Sequence, residues 1–188
     1  MTRLLPENNP LACSLYETER MIAMSPTWQG LVEADDWEAA RDRIAFVEDD
    51  SDPLGFPRPC CVITLNNPLS YQLVAGGSAN YVRPSGDLMI YLALDVPEDL
   101  KLVSGSLDDQ SEIRKNQLQY MANVFGNVVQ DFVNLLGADQ TDDADHQASH
   151  LGATSLQVLD MTRVPESAWA SVGQFWFMIL SVHWGDGA

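Results

Sequence analysis

The chain has 188 residues, 46% of them hydrophobic and 20% charged. That size and composition suit one globular domain and exclude collagen-like, low-complexity and wholly disordered classes. Ten Lys and Arg face 27 Asp and Glu, a formal charge of −17, so the cations that nucleic-acid binding or an anionic membrane surface would need are missing.

Residues 1–14 hold Pro6, Asn8, Asn9 and Pro10 and read as a flexible N-terminal arm before a single domain over 15–188. The stretch Leu11-Ala12-Cys13 resembles a lipoprotein cleavage box, but Pro10 and the lack of an apolar run before it argue against export. Residues 15–24 predict a short helix. Ser25 then offers an N-cap and Pro26 a first helical position. Trp28, Leu31 and Val32 share one face of the helix that follows. Asp35 with Glu38 reads as a capping box for another short helix carrying Trp37 and Ala40. Residues 44–47 predict a strand.

Residues 48–59 are acidic and proline-rich and predict a loop that delivers an extended chain. Residues 60–65 predict a buried strand, ended by Asn66-Asn67-Pro68, and residues 71–74 another. The segment from Gly76 to Gly86 contains a loose tip and a turn. Leu88, Ile90, Leu92, Leu94 and Val96 then alternate with Asp87, Met89, Tyr91, Ala93 and Asp95. This period of two predicts a strand whose even positions face the core.

The main helix is predicted over 110–136, with Asp109 and Glu112 as its capping box and Gly137 as its stop. Leu118, Met121, Phe125, Val128, Phe132 and Leu135 form its apolar stripe, widened by Val124, Val129 and Leu136. Residues 138–150 predict a solvated loop. Segments 154–164 and 173–184 close the chain as a hairpin of strands. The expected fold class is therefore α+β: a mainly antiparallel β-sheet packed against one long amphipathic helix, with short N-terminal helices.

No nucleotide-binding glycine loop, nucleophile elbow, zinc-protease motif, Cys-x-x-Cys pair or EF-hand loop occurs. The sequence thus predicts no catalytic residues, no cofactor-binding residues, no metal ligands and no enzyme activity. Three features bear on that expectation. His146 and His150 stand four apart among Asp139, Asp142, Asp143 and Asp145, which is metal-ligand spacing on a helix, but helix support is poor and no third ligand is fixed. Asp49, Asp50 and Asp52 cluster without the spacing of a calcium loop. His183 lies between Val182 and Trp184 and reads as a strand residue at a rim or interface, not as a base. The odd count of cysteines (Cys13, Cys60 and Cys61) argues for a reducing compartment, with Cys60 and Cys61 as small core hydrophobes.

The final strand is apolar on both sides. Trp176, Met178, Leu180, Val182 and Trp184 occupy one face, and Phe175, Phe177 and Ile179 the other. Met89, Tyr91 and Ala93 extend the second set. Two expectations follow. Either Tyr91, Phe175, Phe177 and Ile179 lie at a subunit contact in a homo-oligomer, or the N-terminal helices, through Trp28 and Trp37, cover that face within one chain.

Taken together, the order of elements resembles the tail terminator or tail-completion (neck) proteins of long-tailed bacteriophages. The resemblance rests on an N-terminal helical segment before Pro59-Cys60-Cys61-Val62-Ile63-Thr64 and on the loose tip from Gly76 to Gly86 leading into Leu88 to Val96. It continues through the long helix at Asn116 to Leu136 and the closing strands from Ser155 to Val182. It spans residues 15–184 and carries no residue roles. It implies a structural protein that forms a homo-oligomer such as a ring, caps or joins the tail tube, and meets other phage tail or connector proteins. It further implies no cofactor, no direct nucleic-acid binding, no membrane, and a place in the host cytoplasm or the virion. The acidity and the long N-terminal segment depart from that pattern. A small-ligand or protein-binding α+β module is the alternative, followed by a metal-dependent hydrolase using loop 139–150.

Overall fold

A computed structural model of the chain describes residues 10–47, 56–65, 70–74, 81–102, 107–137 and 153–184. Three short helices open it: α1 (Pro10–Ala23), α2 (Pro26–Leu31) and α3 (Trp37–Arg41). Helix α1 starts five residues before the predicted helix, so residues 10–14 belong to it and not to an arm. Proline tolerates the first helical turn because its missing N–H has no intrahelical partner there, and Ser14 is already buried.

Ser25 caps α2 as expected. Its Oγ accepts from the Trp28 N–H at 3.1 Å, with Pro26 at the head of the helix. In α3 the cap is Asp36 instead of Asp35. Its carboxylate accepts from the Ala39 N–H at 2.8 Å. The shift of one residue buries Ala40 in the core and leaves Arg41 beside Trp37.

The strands are β1 (Ile44–Val47), β2 (Cys60–Leu65), β3 (Ser70–Val74), β4 (Tyr81–Asp95), β5 (Ala153–Arg163) and β6 (Phe175–Trp184). They run in the order β1-β2-β4-β6-β5, with β3 paired to β4 off that path. Only the β1–β2 pair is parallel; the other pairs are antiparallel. Strand β4 is the spine. Its residues 86–95 pair with β6 and its residues 88–93 with β2, while 81–85 pair with β3 as a two-stranded ribbon beyond the end of the β6 ladder.

Helix α4 (Leu107–Gly137) has 31 residues and is about 46 Å long at 1.5 Å per residue. It begins two residues before Asp109, which therefore lies in its first turn instead of capping it. Its buried line is Gln117, Met121, Phe125, Val128 and Phe132. Leu118, the expected first member of the stripe, is 46% exposed. Steps of four, four, three and four keep Gln117 on the buried line, whereas Leu118 is rotated about 100° away from it.

The core lies between these helices and one face of the sheet. Leu88, Ile90, Leu92 and Leu94 of β4 point into it with Cys61 and Ile63 of β2 and the even residues from Trp176 to Trp184 of β6. They meet Met21, Ile22 and Trp28 and the α4 line from Met121 to Phe132. The even-inward register is as the alternation predicts. The fold is α+β.

The second face is covered differently. Cys60, Ala93, Val164 and Phe175 are buried there, with Phe56, Ala168, Trp169, Val172 and Phe177 packed around them. The cover is the chain before β2 and the β5–β6 connection, which includes α5 (Trp169–Val172). The N-terminal helices do not supply it: Trp28 and Trp37 both pack into the helix-side core. Gly173, at φ 79°, lets the connection reverse into β6.

Candidate interaction surfaces

Arg58 clamps the second-face cover. Its Nε donates to Asp95 Oδ1 at 2.6 Å and its Nη2 to the Val172 carbonyl at 2.7 Å. Its guanidinium lies 4.3 Å from the centre of the Phe175 ring. Phe175 is 0% exposed, so it has no surface to offer a neighbouring molecule. Tyr91, Phe177 and Ile179 are half-buried. The register sets Tyr91 opposite Ile179 and Ala93 opposite Phe177, which places these three side chains in one patch of the second face.

At the far end of that face, Asp87 and His183 are cross-strand partners, with Nδ1 and Oδ1 2.7 Å apart. His183 is thus a rim residue, next to the base of the ribbon. Cys60 and Cys61 are both buried free thiols, one on each face. Burial pushes Cys60 up to about 11 against the opposing pull of Arg58, and pushes Cys61 well above the ordinary thiol value. Neither is a ready nucleophile at neutral pH.

Polar side chains on the helix side tie elements together. Gln117, fully buried, accepts from Trp176 Nε1 at 3.0 Å and donates to the Leu100 carbonyl at 3.1 Å. Asp131 accepts from Ser25 Oγ at 2.7 Å and from the Thr27 N–H at 3.0 Å. Burial raises the Asp131 carboxyl, and those hydrogen bonds outweigh it and hold the group below the ordinary carboxylate range. Arg41 joins α3 to α1 by donating to Glu19 at 2.7 Å while stacking near Tyr16 and Trp37. These contacts have structural partners on both sides. Sequence reasoning missed Gln117 and Arg58, although a glutamine on a helical apolar line and an arginine between two prolines were the available signals.

Two regions remain unpartnered by strands. Among the described residues, β1 and β5 each pair on one side only, so both edges of the sheet are open. Phe46 on β1 is 44% exposed, and Val158 and Leu159 on β5 are each 51% exposed. Strand β5 is irregular there: Val158 pairs with Leu180 and Asp160 with Ile179, which leaves Leu159 outside the register. Arg20, Arg41, Arg58, Lys101, Arg114 and Arg163 all have carboxylate partners. Among the described side chains, only Arg43, at the head of β1, and Lys115 lack one.

The histidine and aspartate cluster of 139–150 and the aspartates at 49–52 lie outside the described residues. Among the described residues, no group of three or more His, Cys, Asp or Glu is placed to hold a metal ion, and no helix is long and apolar enough to cross a membrane. No protein-family model matches the chain, and no curated protein matches it.

Proposed function

We propose that this chain is a structural assembly protein of the phage tail terminator or neck type, acting by self-association and by contact with tail or connector proteins, without catalysis. The observation that supports this best is the pair of sheet edges, open among the described residues, that bear exposed Phe46, Val158 and Leu159. Soluble proteins normally blunt such edges, because an unpaired strand is a template for another chain.

The charge fits the same role. A protein with −17 formal charge lets DNA pass without holding it, and it meets basic partners readily. Assembly would take place in the host cytoplasm, with the product in the virion.

Light scattering joined to size exclusion, with electron microscopy of the peak, tests this reading. The expected result is a discrete multimer several times the 20.8 kDa chain mass, seen as closed particles. A monomer at high concentration overturns it.

A further inference from the structure

We infer that the two open edges are complementary halves of one seam, with β5 of one copy pairing with β1 of the next as an antiparallel ladder. This rests on the self-association proposed above and names the surface that carries it.

Strand direction comes first. Strand β1 runs parallel to β2, and each further step across the sheet to β4, β6 and β5 reverses direction. Strands β1 and β5 therefore run in opposite senses. A second copy set alongside in the same orientation brings its β1 antiparallel to β5, with the helix layers on the same side.

The side chains then match by face. Phe46 pairs in register with Ile63 and Val158 with Leu180, and Ile63 and Leu180 both belong to the helix-side core. Phe46 and Val158 are thus exposed on the same side of the sheet at opposite edges. On the other side, Asp160 pairs with Ile179, and Arg43, in the turn just before Ile44, lies near enough to the second-face thiol Cys60 for its charge to act on it. With Phe46 opposite Val158, Asp160 falls opposite Ala45, one diagonal step from Arg43. Diagonal neighbours lie within reach of long side chains. The apolar pair and the ion pair therefore form together in a single register. Arg43 is one of the two described cations without a carboxylate partner among the described residues, and Asp160 is exposed.

A short edge and a bulge are ordinary devices against pairing. Here the irregularity leaves Leu159 and Val158 in solvent instead of hiding them. The contact is heterologous, so repetition closes a ring if the rotation allows and otherwise extends a filament.

Two edge variants and their mixture test the seam. Phe46→Lys blocks β1 and keeps β5, while Val158→Lys blocks β5 and keeps β1. Both positions are exposed, and circular dichroism verifies that each variant folds. In sedimentation velocity each variant alone should be a monomer, and an equimolar mixture should form a 1:1 dimer and nothing larger. A mixture that stays monomeric overturns the seam, as does Phe46→Lys assembling alone, which would mean a contact between like edges. As a second readout, Arg43→Asp should weaken association by up to about five-fold per seam, and Arg43→Asp with Asp160→Arg should restore it; no effect from Arg43→Asp contradicts the ion pair. If the unaltered protein assembles and none of these variants matters, the seam fails and the assembly reading stands. If the unaltered protein is monomeric, both fail.

Discussion

Ile90 and Tyr91 are adjacent on β4, yet they face different surroundings. Ile90 is sealed between the sheet and α4, in a continuous core that runs from Met21 to Trp184. Tyr91 lies half-buried on the second face, beyond the small cluster built on Phe175. The helix side closes by apolar packing along its middle, with Phe46 and Val158 left exposed at its two edges. On the second face the cluster built on Phe175 closes under the chain beside Arg58 and the α5 connection, Val62, Thr64 and Met89 are buried further along, and Tyr91, Phe177 and Ile179 stay half-buried. The difference shows that the continuous apolar core of this sheet lies on the helix side, while the other face holds a smaller cluster beside half-buried Tyr91, Phe177 and Ile179.

Alanine substitution at the adjacent pair should break that comparison most clearly. Ile90→Ala is expected to cost about 2–5 kcal/mol, because the filled core cannot collapse fully around the void. Tyr91→Ala should lose less than half as much in the same urea titration. Equal losses would mean that the second face is as tightly packed as the first.

Gln117 tests the one polar point on the helix side. Gln117→Leu should cost about 1–3 kcal/mol, since it leaves the Trp176 N–H and the Leu100 carbonyl without partners. The altered environment of Trp176 should also appear in its fluorescence. A neutral or stabilising change would show that the site prefers an all-apolar line.

The adjacent thiols sharpen the comparison by rate. At pH 8, iodoacetamide should label Cys60 and Cys61 far more slowly in the native protein than in urea, with Cys60 ahead of Cys61. Both thiols are held above their ordinary value by burial, and the partial cover over Cys60 opens more easily. Peptide mapping by mass spectrometry reads the order, and a faster Cys61 contradicts it.

The smallest effect is electrostatic. Asp131 is depressed in the folded chain, so its contribution is present above the unfolded value of about 3.9 and is lost as pH falls through the folded value. The stability gap between the unaltered protein and Asp131→Asn should therefore be constant near neutrality and shrink below about pH 3–4. A gap independent of pH would show that Ser25 and Thr27 do not distinguish the two side chains.

The elements with a strong period were legible in the sequence. The alternation from Leu88 to Val96 places the even residues inward because a strand has only two sides. Strands at 44–47 and 60–65 and the Ser25 cap follow from equally local signals. The misses arise where tertiary packing overrides a local rule. Leu118 is the better hydrophobe, yet Gln117 takes the buried line because the helical period reaches it and Trp176 needs an acceptor. Asp36 displaces Asp35 because Ala40 must face the core. The second-face cover was not legible, since it depends on a connection after Pro165 folding back to meet Arg58, a contact between residues 114 positions apart. The same contact encloses Phe175, one of the four residues whose pattern suggests a subunit contact, and leaves Tyr91, Phe177 and Ile179 half-exposed. The exposed edge residues Phe46 and Val158 carry no sequence signal of exposure, because strand order is invisible in a single chain's pattern.

Hydrogen exchange at two protein concentrations tests most directly whether the sheet is closed by its own helices on one face and completed by another copy at its edges. On going from dilute to concentrated protein, amides of 44–47 and 153–163 should exchange more slowly, while those of β4 and the buried line of α4 stay unchanged. Protection that does not depend on concentration, or that grows on α4 instead of at β1 and β5, would contradict the account.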